Sequence, residues 1–102
     1  MVRIDIPYKE VAAFCRRWLI VELAFFGSVL REDFGPDSDV DVLVQFDPRA
    51  EHTLFDMVRM QEELKAIIGR EVDLVSRRGI EASRNYMRRE AILNSAEVVY
   101  GA

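Results

Sequence analysis

Cys15 is the only cysteine in the 102 residues, so neither an internal disulfide nor a cysteine-based zinc site is available. A chain this poor in thiols fits a reducing cytoplasm, and an intracellular protein is expected. No apolar run approaches the length of a membrane span. The opening stretch, Met1 to Pro7, lacks the apolar core of a signal peptide. Positive charge is also scarce: 14 Lys and Arg stand against 18 Asp and Glu, a net charge of −4. Non-specific nucleic-acid binding relies on a basic surface and is disfavoured. A nucleotide held through a metal remains open, because the cation supplies the positive charge. Repeats, low-complexity tracts and linkers are missing too, so residues 1–102 are expected to form one domain around one core. A domain of this size leaves much of its surface uncovered, which leaves room for a docking partner.

Half of the residues are hydrophobic and 31% are charged, the balance of a globular protein. Pro7 can open a first helix, with Glu10 in its first turn and Val11, Phe14, Cys15, Trp18 and Leu19 as its buried stripe. Ile20 to Phe26 is short, mostly apolar and stopped by Gly27, the pattern of a buried strand. A brief helix over Val29 to Asp33 follows, then a turn from Phe34 to Ser38. Asp39 to Phe46 reads as a second strand, rich in β-branched residues and closed by Asp47 and Pro48. Thr53 can cap a helix whose apolar positions include Leu54, Val58, Leu64 and Ile68, and Gly69 can end it. Glu71 to Val75 is a shorter third strand. Ser83 is expected to cap a last helix carrying Tyr86, Met87, Leu93 and Ala96. The fold class is α/β or α+β: a small mixed sheet of three or four strands flanked by helices.

Three features carry chemistry. Gly27 and Ser28 close one strand, Asp39 and Asp41 open the next, and Asp73 lies in the third. Side chains alternate across a strand, so Asp39 and Asp41 share one face, while Val40, Val42, Val44 and Phe46 share the other and can face the core. Two carboxylates one strand-step apart repel unless a cation lies between them. Hard oxygen donors of this kind suit magnesium or manganese. With Asp73 on the same face, three carboxylates could hold two ions about 3.5–4 Å apart, the spacing of in-line phosphoryl displacement. Gly27 would let the backbone approach a phosphate, the Ser28 hydroxyl adds a donor, and Arg31 could reach a triphosphate oxygen. A calcium loop beginning Asp37, Asp39, Asp41 fails at Val42, where glycine is required, and at Pro48, where glutamate is required.

Gly27-Ser28, ten intervening residues and Asp39-Val40-Asp41 resemble the signature of the DNA polymerase beta-like nucleotidyltransferase superfamily. Arg31 and Ser38 match positions common in its small prokaryotic members. Val72 to Val75 matches the run that carries the family's third carboxylate, here Asp73. The resemblance spans nearly the whole chain and is closest to the minimal, MNT-type members, many of which look like antitoxins paired with a HEPN-domain toxin. It implies a nucleotidyltransferase fold and transfer of AMP from ATP, with magnesium, to a tyrosine of the toxin. It also implies a hetero-oligomer. Asp39 and Asp41 would bind both ions, Asp73 would join the one near the attacking hydroxyl, and Gly27, Ser28, Arg31 and Ser38 would bind the nucleotide. The alternative is a module that neutralises its toxin by stoichiometric masking. Arg77, Arg78, Arg84, Arg88 and Arg89 read as a solvated basic helix face, with docking to an acidic partner or a phosphate as the other reading. His52 is expected at the surface.

Overall fold

In the computed structural model, which describes residues 2–101, helix α1 runs from Tyr8 to Arg17. Pro7 occupies the position before it, and Val11, Phe14 and Cys15 are its buried face. The expected stripe breaks at its end. Leu19 turns the chain with φ 56° and is 42% exposed, while Trp18 is half-buried and donates its Nε1–H to Glu63 at 2.6 Å. Burial also lifts the Cys15 thiol pKa to about 12, so it stays a neutral core group. His52 is half-buried rather than freely exposed. Its ring packs edge-on against Trp18 and Phe46, and Nε2–H donates to the Trp18 carbonyl at 2.6 Å.

Strand β1 covers Ile20–Phe26 and ends at Gly27, whose φ of 74° breaks the extended run. The turn after it is a 3-10 helix over Gly27–Leu30, not a helix over Val29 to Asp33, because Arg31 returns to an extended conformation. Strand β2 is Val40–Phe46. Helix α2, Leu54–Ile68, starts with a capping box: Thr53 Oγ1 accepts the Asp56 N–H, and the Asp56 carboxylate accepts the Thr53 N–H. It ends on Gly69 at φ 79°. Its buried residues are Met60 and Leu64, whereas Leu54 and Val58 are 85% and 61% exposed. Two apolar stripes run along this helix, and the sheet takes the one through Met57, Met60, Leu64 and Ile68.

Strand β3 is Val72–Ser76, and a short helix α3, Arg77–Glu81, follows directly. Helix α4 spans Tyr86–Ser95 and is capped by Asn85, not Ser83; Asn85 accepts the Arg88 N–H at 3.0 Å. Ile92 is the buried residue of this helix, Leu93 and Ala96 pack beside it, and Tyr86 and Met87 are left 63% and 81% exposed. Strand β4, Glu97–Gly101, completes the sheet.

The sheet is mixed, in the order β3-β2-β1-β4. β1 is antiparallel to β2 and β4, and β2 is parallel to β3 through the crossover of α2. Alternation along β2 divides the core. Val40, Val42 and Val44 are fully buried with Phe14, Met60 and Leu64 on the α1/α2 face. Leu43 packs with Ala24, Phe26, Ile80 and Ile92 on the α3/α4 face. No helix among the described residues is long and apolar enough to cross a membrane.

Candidate functional site

The acidic residues meet at one end of the sheet, where β1 stops and β2 and β3 start. Parallel pairing sets Asp41 directly beside Asp73. Antiparallel pairing sets Asp41 beside Phe26, the last residue of β1. With Val40 and Val42 turned into the α1/α2 core, Asp41 lies on the opposite face, the one α4 covers. Asp39 sits one residue before β2 and is exposed.

The Gly27-Ser28 turn is built around these aspartates. The Ser28 Oγ–H donates to the Asp39 carbonyl at 3.2 Å, and the Ser28 N–H reaches the Asp41 carboxylate. A methyl group at Gly27 would lie 2.3 Å from Asp41 Oδ2, so a glycine here makes room for the carboxylate as well as for the backbone's positive φ. The pKa of Asp41 is raised, first by burial, then by the charges of Asp73 and Asp39; Arg88 and the Ser28 N–H pull it back. One partly buried carboxylate flanked by two others is a site short of positive charge.

Can this donor set take a cation? Among the described residues no three His, Cys, Asp or Glu side chains close into a cage. Magnesium does not require one, since it keeps several waters and commonly binds through one or two carboxylates plus the phosphates of its substrate. Asp39, Asp41 and Asp73 supply hard oxygen donors of that type on an open edge, so the residues fit the ion.

The remaining predicted residues lie further out. Arg31 is exposed and held by both carboxylate oxygens of Asp33, at 3.0 Å each. Ser38 Oγ accepts the Gly35 N–H at 3.1 Å and so shapes the turn ahead of Asp39. Neither lines the cleft beside Asp41, a space of about 300 Å³ bounded by Phe26, Gly27, Asp41, Arg88, Ile92 and Ser95. Two arginines stand out: Arg88, placed by the sequence on a basic helix face with phosphate docking as the other reading, and Arg70, which the sequence did not single out. Arg88 lies in the first turn of α4, after the Asn85 cap, and lines the cleft with Asp41. Arg70 clamps the loop leading to Asp39. Its guanidinium donates to the carbonyls of Gly35 and Ser38, at 2.5 and 3.1 Å, and lies 4.4 Å from the centre of the Phe34 ring.

Comparison with known proteins agrees with this geometry. A family profile described as a nucleotidyltransferase domain matches residues 9–99. A proposed protein adenylyltransferase of Methanocaldococcus jannaschii is 34% identical over 73 residues, 72% of either chain. A solved structure of a proposed minimal nucleotidyltransferase is 36% identical, with a TM-score of 0.68 over 88% of this chain and 86% of that one. A crystal structure of a toxin-antitoxin with AMP-PNP shares the fold at 14% identity, with a TM-score of 0.71 over 95% of this chain and 75% of that one.

Proposed function

The chain belongs to the nucleotidyltransferase domain family, and from that premise we propose that it acts as one domain that moves AMP from ATP to a hydroxyl of a partner protein. The acceptor in this proposal is a tyrosine of a HEPN-domain toxin, bound in a cytoplasmic hetero-complex in which the chain is the antitoxin. The observation that carries it is the register that sets Asp41 beside Asp73 and against Gly27. The relative proposed to be a protein adenylyltransferase and the toxin-antitoxin structure with AMP-PNP support the choice of nucleotide and partner.

Asp39 and Asp41 would hold two magnesium ions, with Asp73 joining the one nearest the acceptor. When bound, the metal neutralises the triphosphate and draws charge from the α-phosphoryl group. The Gly27-Ser28 turn binds the phosphates, and Arg31 and Ser38 would reach them only by leaving Asp33 and the Gly35 N–H. The acceptor oxygen attacks the α-phosphorus, the bond to the β-bridging oxygen breaks, and pyrophosphate leaves. Asp73 accepts the proton released by the hydroxyl. Positioning and charge neutralisation supply most of the rate.

Mixing the protein with magnesium, ATP labelled at the α-phosphate and the product of the neighbouring gene is expected to label that product. Chelating the metal should reduce the label to background. A stable complex that neutralises the toxin without any label would overturn the transferase reading in favour of masking.

The Arg70 clamp makes a second expectation. Arg70→Ala should cost about 1–2 kcal/mol of stability, the worth of a charged donor on two carbonyls with a ring contact. It should also lower kcat about tenfold while KM for ATP changes less, since a small displacement of a metal-holding residue is enough for that loss. Arg70→Lys keeps the charge but not the planar fork, and is expected to restore only part. Unchanged kcat in the alanine variant would show that the loop holds Asp39 without the clamp.

A further inference from the structure

Arg88 stands apart from most arginines near the site. Arg31 is paired with Asp33, Arg70 with two carbonyls, Arg77 with Glu22 and Arg89 with the Glu81 carbonyl. Among the described residues, the Arg88 side chain makes no hydrogen bond or ion pair within 4 Å. It nevertheless lines the same cleft as Gly27 and Asp41, and its charge bears on Asp41. The helix that carries it is fixed from both ends of this segment, by the Asn85 cap and by Ile92, which is buried under the sheet. An exposed guanidinium at the lip of an acidic cleft, with its donors unused, can take an anion that enters with its own cation.

We propose that Arg88 binds the nucleotide's triphosphate, its guanidinium taking phosphate oxygens within the cleft that it shares with Gly27 and Asp41. This rests on the transferase reading. A planar fork of donors matches phosphate oxygens in pairs and gains little from a neutral acceptor hydroxyl, so the triphosphate is the ligand that fits. The acidic edge also needs positive charge beyond the metal, and Arg88 is the cleft's only lining cation.

The test is equilibrium binding of ATP, and separately of pyrophosphate, each with magnesium, to the parent chain and to Arg88→Ala, Arg88→Lys and Arg84→Ala. Arg84 is an exposed neighbour outside the cleft and controls for the loss of one positive charge. Arg88→Ala is expected to weaken both ligands about tenfold or more, the effect of losing one charge-assisted contact. Arg88→Lys should recover part of that, and Arg84→Ala should bind as the parent does. In the label-transfer assay Arg88→Ala should raise KM for ATP more than it lowers kcat. Equal affinity in the parent and Arg88→Ala, or an equal loss in Arg84→Ala, would overturn the proposal while leaving the transferase reading intact. A parent chain that binds ATP with magnesium neither alone nor with its partner would overturn both.

Discussion

Asp41→Asn is expected to abolish transfer and, in the absence of metal, to stabilise the fold. The loss of activity follows from position. Asp41 is the only one of the three carboxylates that is both register-paired with another, Asp73, and packed against the Gly27-Ser28 turn. An amide cannot neutralise a bound cation, and several kcal/mol of charge stabilisation correspond to a loss of about a thousandfold or more. The gain in stability follows from the same environment. Burial and two like charges raise the Asp41 pKa. The native state therefore holds that proton more tightly than the unfolded chain does. As pH rises through the interval between the ordinary carboxylate range and the raised value, the native state loses its advantage and stability falls. An asparagine has no proton to lose, and its amide oxygen can still accept the Ser28 N–H. In chelator, thermal midpoints should therefore favour the variant at neutral pH, and the difference should shrink on acidification as Asp41 becomes protonated in the parent. A variant less stable than the parent at neutral pH would show that the Ser28 contact outweighs the repulsion.

The same residues show how far the sequence could be read unaided. Polar signals with local causes were legible: the Thr53 cap and Gly69 stop of α2, the glycine that ends β1, and the spacing that puts three aspartates at one sheet end. What failed depended on choices made by tertiary packing. Helix α2 offers two apolar stripes, and periodicity alone cannot say that Met60 faces the sheet while Leu54 and Val58 face outward. Ser83 and Asn85 are both good caps, and neither decides which face of α4 meets the sheet; packing there buries Ile92, leaves Tyr86 and Met87 exposed and puts Arg88 in the cleft with Asp41. Strand β4 lacks clean alternation: Val98 is exposed while the consecutive Val99 and Tyr100 both pack on the core, because the pairing with β1 shifts register between Leu23 and Ala24. The turn helix α3 contains a glycine and owes its start to the Ser76 hydroxyl, a capping bond with no apolar period behind it. Each miss lies at a point where neighbouring chain, not local propensity, selects among permitted states.

Gly27→Ala separates two reasons for having glycine at the turn. If the residue served only to let a phosphate approach the backbone, alanine would raise KM for ATP and leave the nucleotide-free protein nearly as stable as before. The structure predicts a larger effect on the protein itself. The backbone φ of 74° costs an alanine about 1–2 kcal/mol. Its methyl group would also lie 2.3 Å from Asp41 Oδ2 and 3.3 Å from Cγ. The carboxylate ends a side chain that can turn aside, but turning gives up the Ser28 N–H and its place against the turn. Overpacking of this kind typically costs a further 1–3 kcal/mol, so urea unfolding should show a total loss of about 2–5 kcal/mol. Transfer should fall by about a hundredfold or more, because displacing Asp41 by even an ångström removes it from the metal-holding geometry. The two contributions can be separated by repeating the change in an Asp41→Ala background, where the clash is gone and only the backbone strain remains. The penalty for Gly27→Ala should drop there to about 1–2 kcal/mol, leaving a coupling of at least about 1 kcal/mol between the two sites. Equal penalties in both backgrounds would mean that Gly27 and Asp41 act independently, and that the turn and the acidic edge are not one built unit.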